Sequence, residues 1–181
     1  MLRLFVAIEL PTSIKDLLLD LEDAELPNVR WSTYDQFHLT LRFIGDVHEG
    51  VASEIHDALQ YIRAEPFTLD LQGLDCFGNK RSARIIWVGL GESEPLRALQ
   101  RKIEHAVTGV GLEPERRKYR PHITVARCHR LPMSEVAGYV EPRAAFASPK
   151  FPVDHFAVFS SHQSSKGTYY RAEAHYPLFT E

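Results

Sequence analysis

The sequence is short of cysteine, of any excess of one charge, and of long apolar runs. Each shortage removes a class of protein. Two cysteines in 181 residues, Cys76 and Cys128, cannot build a disulfide framework, and neither belongs to a metal-spaced CxxC pair. A reducing cytoplasm is therefore the expected address. No apolar stretch approaches the roughly 20 residues that cross a bilayer, so no membrane partner is expected. The Leu4–Ile8 run is too short for the apolar centre of a signal peptide and stops at Glu9. Lysine and arginine total 21 against 24 acids, a net charge of −3, which excludes nucleic-acid affinity through global positive charge. What is present is ample core material, at 44% hydrophobic and 25% charged residues, in a length that fits one domain. Arginine outnumbers lysine 15 to 6, which directs the search to a local anion site.

Periodicity lays out mixed elements along the chain. Arg3–Ile8 reads as a buried strand, and Thr12 as the N-cap of an amphipathic helix over Ser13–Leu21. Phe37–Ile44 alternates as a strand and is closed by Gly45-Asp46; Val51–Ile62 follows as a helix. Phe67–Leu71 and Ala83–Leu90 read as strands, Glu94–Val107 as a helix, His122–Ala126 as a strand and Ser134–Tyr139 as a short helix. The C-terminal part reads as a hairpin, His155–Ser160 with Tyr169–His175. Two of these stretches run in parallel. Arg3 opens a strand–helix–strand unit whose second strand carries His38, 35 positions on, and Arg84 opens one that carries His122, 38 positions on. The pattern predicts one α+β domain over 1–181 built from two similar lobes, with duplicated units around 3–45 and 84–127. Each lobe is expected to hold an antiparallel sheet with flanking helices, and a cleft to lie between them.

The chemistry sits where the units match. His38-Leu-Thr40-Leu and His122-Ile-Thr124-Val each place a histidine and a threonine on one strand face, with apolar residues anchoring the other. Two imidazoles facing one cleft suit concerted acid–base work, because a pKa near 6.5 allows one ring to be neutral and the other charged. Threonine hydroxyls beside them can donate to phosphoryl oxygens as charge builds. Anion preference is expected from Glu115–Arg130, which holds Arg116, Arg117, Lys118, Arg120, Arg127 and Arg130 against one acid. Arg120 and Arg127 flank the second tetrad most closely. Strict alternation would turn Arg127 away from His122, so its use requires the strand to bend there. Phe43 and Tyr170, with Phe5 and Phe77, are candidates for stacking on an unpaired base, with core packing the competing role for Phe5 and Phe43.

Three segments, Arg3-Leu-Phe-Val-Ala-Ile-Glu-Leu-Pro11, Phe37-His-Leu-Thr-Leu-Arg-Phe-Ile-Gly45 and Arg120-Pro-His-Ile-Thr-Val-Ala-Arg127, resemble the two-histidine (2H) phosphoesterase superfamily. The likeness is to its RNA 2′,3′-cyclic phosphodiesterases, also called 2′-5′ RNA ligases, and extends to the hairpin with Gly167-Thr-Tyr-Tyr170. The resemblance implies a bilobal fold and metal-free hydrolysis of a 2′,3′-cyclic phosphate RNA end to a 2′-phosphomonoester. It also implies ATP-independent 2′-5′ ligation. By position, His38 would be the proton donor and His122 the acceptor, Thr40 and Thr124 would hold the phosphate, and Arg127 would lie near it. No cofactor and no metal are implied, and a monomer is expected. A related activity on a cyclic nucleotide or ADP-ribose 1″,2″-cyclic phosphate, or slow-turnover binding of RNA ends, are the alternatives. The remaining histidines, His48, His56, His105, His129, His155, His162 and His175, show no ligand-spaced pattern along the chain.

Overall fold

Leu4 to Ile8 are all buried in strand β1 (Leu2–Glu9), as expected of a short apolar run with partners on both sides. In this computed structural model, which describes residues 1–180, β1 pairs antiparallel with β3 (His38–Val47) and with β9 (His155–Ser164). The hairpin partner β10 (Gly167–Pro177) completes a four-stranded sheet in the order β10-β9-β1-β3. A second antiparallel sheet has the order β2-β7-β6-β5, from β2 (Val29–Trp31), β7 (His122–Pro132), β6 (Ser82–Leu90) and β5 (Leu71–Gly78). The chain therefore crosses to the second sheet and back twice, once for β2 and once for β5 to β7. Two short strands on these crossings, β4 (Phe67–Leu69) and β8 (Phe151–Val153), pair with each other.

The helices supply the other faces of the core. Helix α1 (Thr12–Leu19) buries Ile14 and Leu18, α2 (Glu49–Gln60) buries Ile55 and Leu59, and α4 (Met133–Val140) buries Val136, Tyr139 and Val140. In α3 (Glu94–Gly109) the four residues with i, i+3, i+4 spacing, Leu96, Leu99, Ile103 and Val107, are all buried. Its cap is Ser93, whose hydroxyl accepts from the Leu96 amide at 3.2 Å. One cluster of buried side chains joins residues of both sheets and all of these helices. The fold is α+β, as expected. No helix among the described residues is long and apolar enough to cross a membrane.

Several local expectations are corrected. Pro11 occupies the N-cap of α1 with no side-chain cap, and Thr12 is already helical. The stretch read as one strand, Phe67–Leu71, divides at Asp70, because β4 and β5 pair with different sheets. Strands β2, β5 and β8 were not expected. Two are three residues long, β8 contains Pro152, and β5 contains Gly73 at φ +81°, so all carry weak strand signals.

An ion pair fastens β3 to α3. Arg42, only 8% exposed, pairs with Glu104 and donates from Nη2 to the Glu113 carbonyl at 2.6 Å. The other oxygen of Glu104 accepts from the Glu115 amide at 2.9 Å. Both charges thus have hydrogen-bond partners beyond each other, the condition under which a buried pair is tolerated.

Candidate active site

Alternation on β3 puts Leu39 and Leu41 in the core and His38 and Thr40 on the opposite face. The alternation then breaks. Between the pairs Ala7–Thr40 and Val6–Arg42, β3 advances two residues while β1 advances one, so Leu41–Arg42 form a β-bulge. The bulge resets the phase and brings Phe43 to the face of His38 and Thr40. Strand β7 does the same: Trp87 pairs with Thr124 and Ile86 with Ala126, leaving Val125 as the extra residue. Val125 and Ala126 are both buried, and Arg127 emerges on the side of His122 and Thr124. The bend that Arg127 required is this bulge.

His38, Thr40, Phe43, His122, Thr124, Arg127 and Tyr170 all line one cavity of about 690 Å³, within the range of small-molecule sites. It is basic: Arg3, Arg30 and Arg127 are in its wall, with no carboxylate among the described residues. Arg30 and Arg127 are cross-strand neighbours on β2 and β7. The Arg30 guanidinium reaches across to the β9–β10 hairpin, where a Cβ on Gly167 would come within 2.3 Å of its Nη2. Gly167, at φ +116°, both makes the turn and leaves room for that contact.

Each catalytic candidate ring is held in the same way. His38 Nδ1 lies 2.7 Å from the Gln36 carbonyl, and His122 Nδ1 lies 2.7 Å from the Arg120 carbonyl. A carbonyl only accepts, so Nδ1 carries hydrogen in both rings and Nε2 is the nitrogen left for proton exchange. Each threonine's backbone is tied as well. The Tyr119 hydroxyl donates to the Thr40 carbonyl at 2.9 Å, and the Ser32 hydroxyl to the Thr124 carbonyl at 3.1 Å. Burial raises the pKa of the Tyr119 phenol, which keeps it a donor.

The surroundings of the rings differ. His38 packs against Phe5 (centroids 4.8 Å apart) and against the edge of Tyr170 (5.1 Å), with Phe159 beyond. Burial, the larger cause, together with the positive charges of Arg127 and Lys15 and the nearby His122, lowers its pKa to about 4 against the pull of the Gln36 carbonyl. His122 instead meets Phe77 edge-on at 5.1 Å, with Trp87 at 6.2 Å.

Arg120 contributes differently from expectation. Its side chain is exposed and outside the cavity wall, while its carbonyl fixes the His122 tautomer. Arg116, Arg117 and Lys118 are also exposed and outside the wall. The cavity's positive charge comes instead from Arg3, Arg30 and Arg127, which are scattered along the sequence. Arg3, Arg30, Gln36 and the hairpin residues Ser161, Gln163 and Thr168 were missed, because no local pattern links them to either tetrad. Of the histidines set aside, His155 and His175 converge on Glu9.

A model of the 2′-5′ RNA ligase superfamily matches residues 22–165. Among curated proteins, a relative from Aeropyrum pernix named RNA 2′,3′-cyclic phosphodiesterase is 43% identical over 94 residues, covering 51% of this chain and 53% of that one. This chain thus matches about half the length of that relative. One of the same name from Methanothermobacter thermautotrophicus is 32% identical over 130 residues, covering 69% of this chain and 70% of that one. The crystal structure of E. coli LigT complexed with 3′-AMP is similar in fold, with a TM-score of 0.79, 23% identity, and 99% of each chain covered. The family match runs from just after α1 to the hairpin turn and takes in both His-x-Thr strands, and on that ground this chain belongs to the 2′-5′ RNA ligase superfamily.

Proposed function

We propose that the cavity hydrolyses 2′,3′-cyclic phosphate ends of RNA to 2′-phosphomonoesters, with the units around 3–45 and 84–127 acting as two half-sites on one phosphate. The observation that carries this reading is the pair of imidazoles, each fixed through Nδ1, presented to one basic cavity that holds no carboxylate among the described residues. Two relatives named RNA 2′,3′-cyclic phosphodiesterase support it. In the reaction, His122 Nε2 takes a proton from water as the water oxygen attacks phosphorus. The P–O3′ bond breaks in line, and His38 Nε2 delivers a proton to the leaving O3′. One P–O bond forms and one breaks, and the proton shuttle closes when the two rings exchange protons with solvent. Thr40 and Thr124 donate to the equatorial oxygens, and Arg127 offsets their charge.

The low pKa of His38 sets a condition on its role as donor. At neutral pH the ring is uncharged, so its proton must arrive with the substrate, whose phosphate anion opposes the positive charges that depress the pKa. Substrate binding and proton uptake are therefore coupled. Replacing water by a 5′-hydroxyl leaves the displacement otherwise unchanged and joins the two ends by a 2′-5′ bond, which accounts for ATP-independent ligation at the same site. The test is hydrolysis of a 2′,3′-cyclic mononucleotide by the wild type and by His122→Ala, with the product position assigned by phosphorus NMR. Equal rates would remove the mechanism. A 3′-phosphate product would reverse the assignment of the leaving oxygen.

A further inference from the structure

Across the cavity-facing side of the first sheet, beyond His38, three potential ligands meet that are remote in sequence. Glu9 on β1, His155 on β9 and His175 on β10 each offer one atom, and these atoms all lie within 4.8 Å of one another. The two Nε2 atoms approach the same carboxylate oxygen, Glu9 Oε2, at 2.7 Å for His155 and 3.1 Å for His175. His155 Nδ1 is held by Asp154 Oδ1 at 2.6 Å. Among the described residues, no lysine or arginine pairs with Glu9 or Asp154. The cluster is open to water, with the side chains of Glu9, His155 and His175 at 37%, 34% and 53% exposure.

We propose that Glu9, His155 and His175 form a binding site for a divalent transition metal of the zinc class, separate from the phosphate cavity. Two imidazole nitrogens and one carboxylate oxygen are the donor set of an open three-ligand zinc site, with water as the fourth ligand. Bonds of about 2.0–2.1 Å in a tetrahedron hold ligand atoms roughly 3.3–3.4 Å apart. Glu9 and the two histidines reach that spacing by opening the 2.7 Å His155 contact by about 0.6–0.7 Å and the 3.1 Å His175 contact by about 0.2–0.3 Å, which side-chain rotation supplies. Asp154 fills the outer position in which a carboxylate on Nδ1 leaves Nε2 to the metal. The three ligands stand on three adjacent strands, so the rigid sheet sets their spacing in advance. Zinc bound there ties β10 to β1 through β9, and none of its ligands lies in the wall of the phosphate cavity.

The experiment is a zinc titration of the full chain after dialysis against chelator, followed by calorimetry and by thermal unfolding. The wild type is expected to take up one equivalent and to unfold at a higher temperature with zinc. The His155→Ala/His175→Ala double variant should lose the site, and Asp154→Asn should weaken it about 10–100-fold. All of these should retain hydrolysis of a 2′,3′-cyclic mononucleotide, which reports that they are folded. Cobalt provides a second readout on the unaltered protein, as the strong visible absorption of a four-coordinate ion. Absence of saturable zinc uptake, binding undiminished in the double variant, or a cobalt spectrum unchanged from the aqueous ion would each overturn the proposal.

Discussion

Strands β3 and β7 carry the same device and put it to different ends. In each, a histidine hydrogen-bonds through Nδ1 to the carbonyl two residues earlier, and a threonine follows on the same face with its own carbonyl tied by a hydroxyl. In each, a one-residue bulge brings the residue five beyond the histidine into the cavity. That residue is Phe43 on one side and Arg127 on the other. The residue before it is the ion-paired Arg42 on one side and Ala126 in the core on the other. Strand β3 is an edge strand, whereas β7 is flanked by β2, which adds Arg30 beside Arg127. Like backbones therefore place like histidine and threonine side chains. The variable positions around them decide that one side meets charge and the other offers an aromatic face.

The most demanding test of this equivalence is to remove the shared groups. His38→Ala and His122→Ala should each lower hydrolysis of a 2′,3′-cyclic mononucleotide by about 10²–10⁴-fold or more, since each removes one proton transfer. Steady-state rates on folded variants check this. A large loss from one and none from the other would break the two-sided reading. Next in size is the charged side alone. Arg127→Ala should lower kcat by about 10²–10³-fold, the scale of losing one donor to a developing oxyanion. A loss confined to KM would make Arg127 a ground-state anchor instead.

The histidine–threonine pairs were legible because a strand has a two-residue period and each pair is backed by two apolar residues. The four-residue stripe of α3 was legible for the corresponding helical reason. The bulges were not, since neither Leu41-Arg42 nor Val125-Ala126 contains a glycine or other local signal for one. That is why alternation misplaced Arg127. The charge run at Arg116–Lys118 was visible along the chain yet lies outside the cavity wall, because density in sequence is not density in space. Arg3 and Arg30 show the converse: each is isolated in sequence, and they stand in different sheets that the fold brings to one cavity. The cluster of Glu9, His155 and His175 was invisible for the same reason, with Glu9 and His155 separated by 146 positions.

The asymmetry also has consequences for stability. Arg42→Ala leaves Glu104 partly buried without its partner and should cost about 3 kcal/mol, at the low end for a broken buried pair because Glu104 keeps 23% exposure. Urea unfolding measures it; a change under 1 kcal/mol would mean that α3 is held by its apolar face alone. For His38 the sign follows from burial of the neutral ring. Its folded pKa of about 4 lies below the ordinary 6.5, so its contribution is complete above pH 6.5 and is lost as pH falls from 6.5 to 4. With the ring's remaining exposure to the cavity, that loss should be on the order of 2 kcal/mol. The stability difference between wild type and His38→Gln should shrink by that amount between pH 7 and pH 4. A difference constant with pH would mean that His38 is not buried as the neutral form.

The smallest effect isolates the variable position on β3. Phe43 is 62% exposed at the cavity edge, with its ring 6.0 Å from Phe5, so truncation removes little core packing. Its value lies in the open face. Stacking on an unpaired base is worth about 1–3 kcal/mol, and an exposed ring belongs at the lower end, so Phe43→Ala should raise KM roughly 5–10-fold. That rise should appear for oligonucleotide substrates with a base within reach, and kcat should stay near the wild-type value because the ring touches no reacting atom. Arg127→Ala should do the reverse, lowering kcat for every substrate that carries the cyclic phosphate. Steady-state kinetics on a mononucleotide and a short oligonucleotide, for both variants, therefore separate the two uses of one bulge. If Phe43→Ala lowers kcat on both substrates, the ring acts by shaping the cavity around His38, and the division between an aromatic side and a charged side no longer holds.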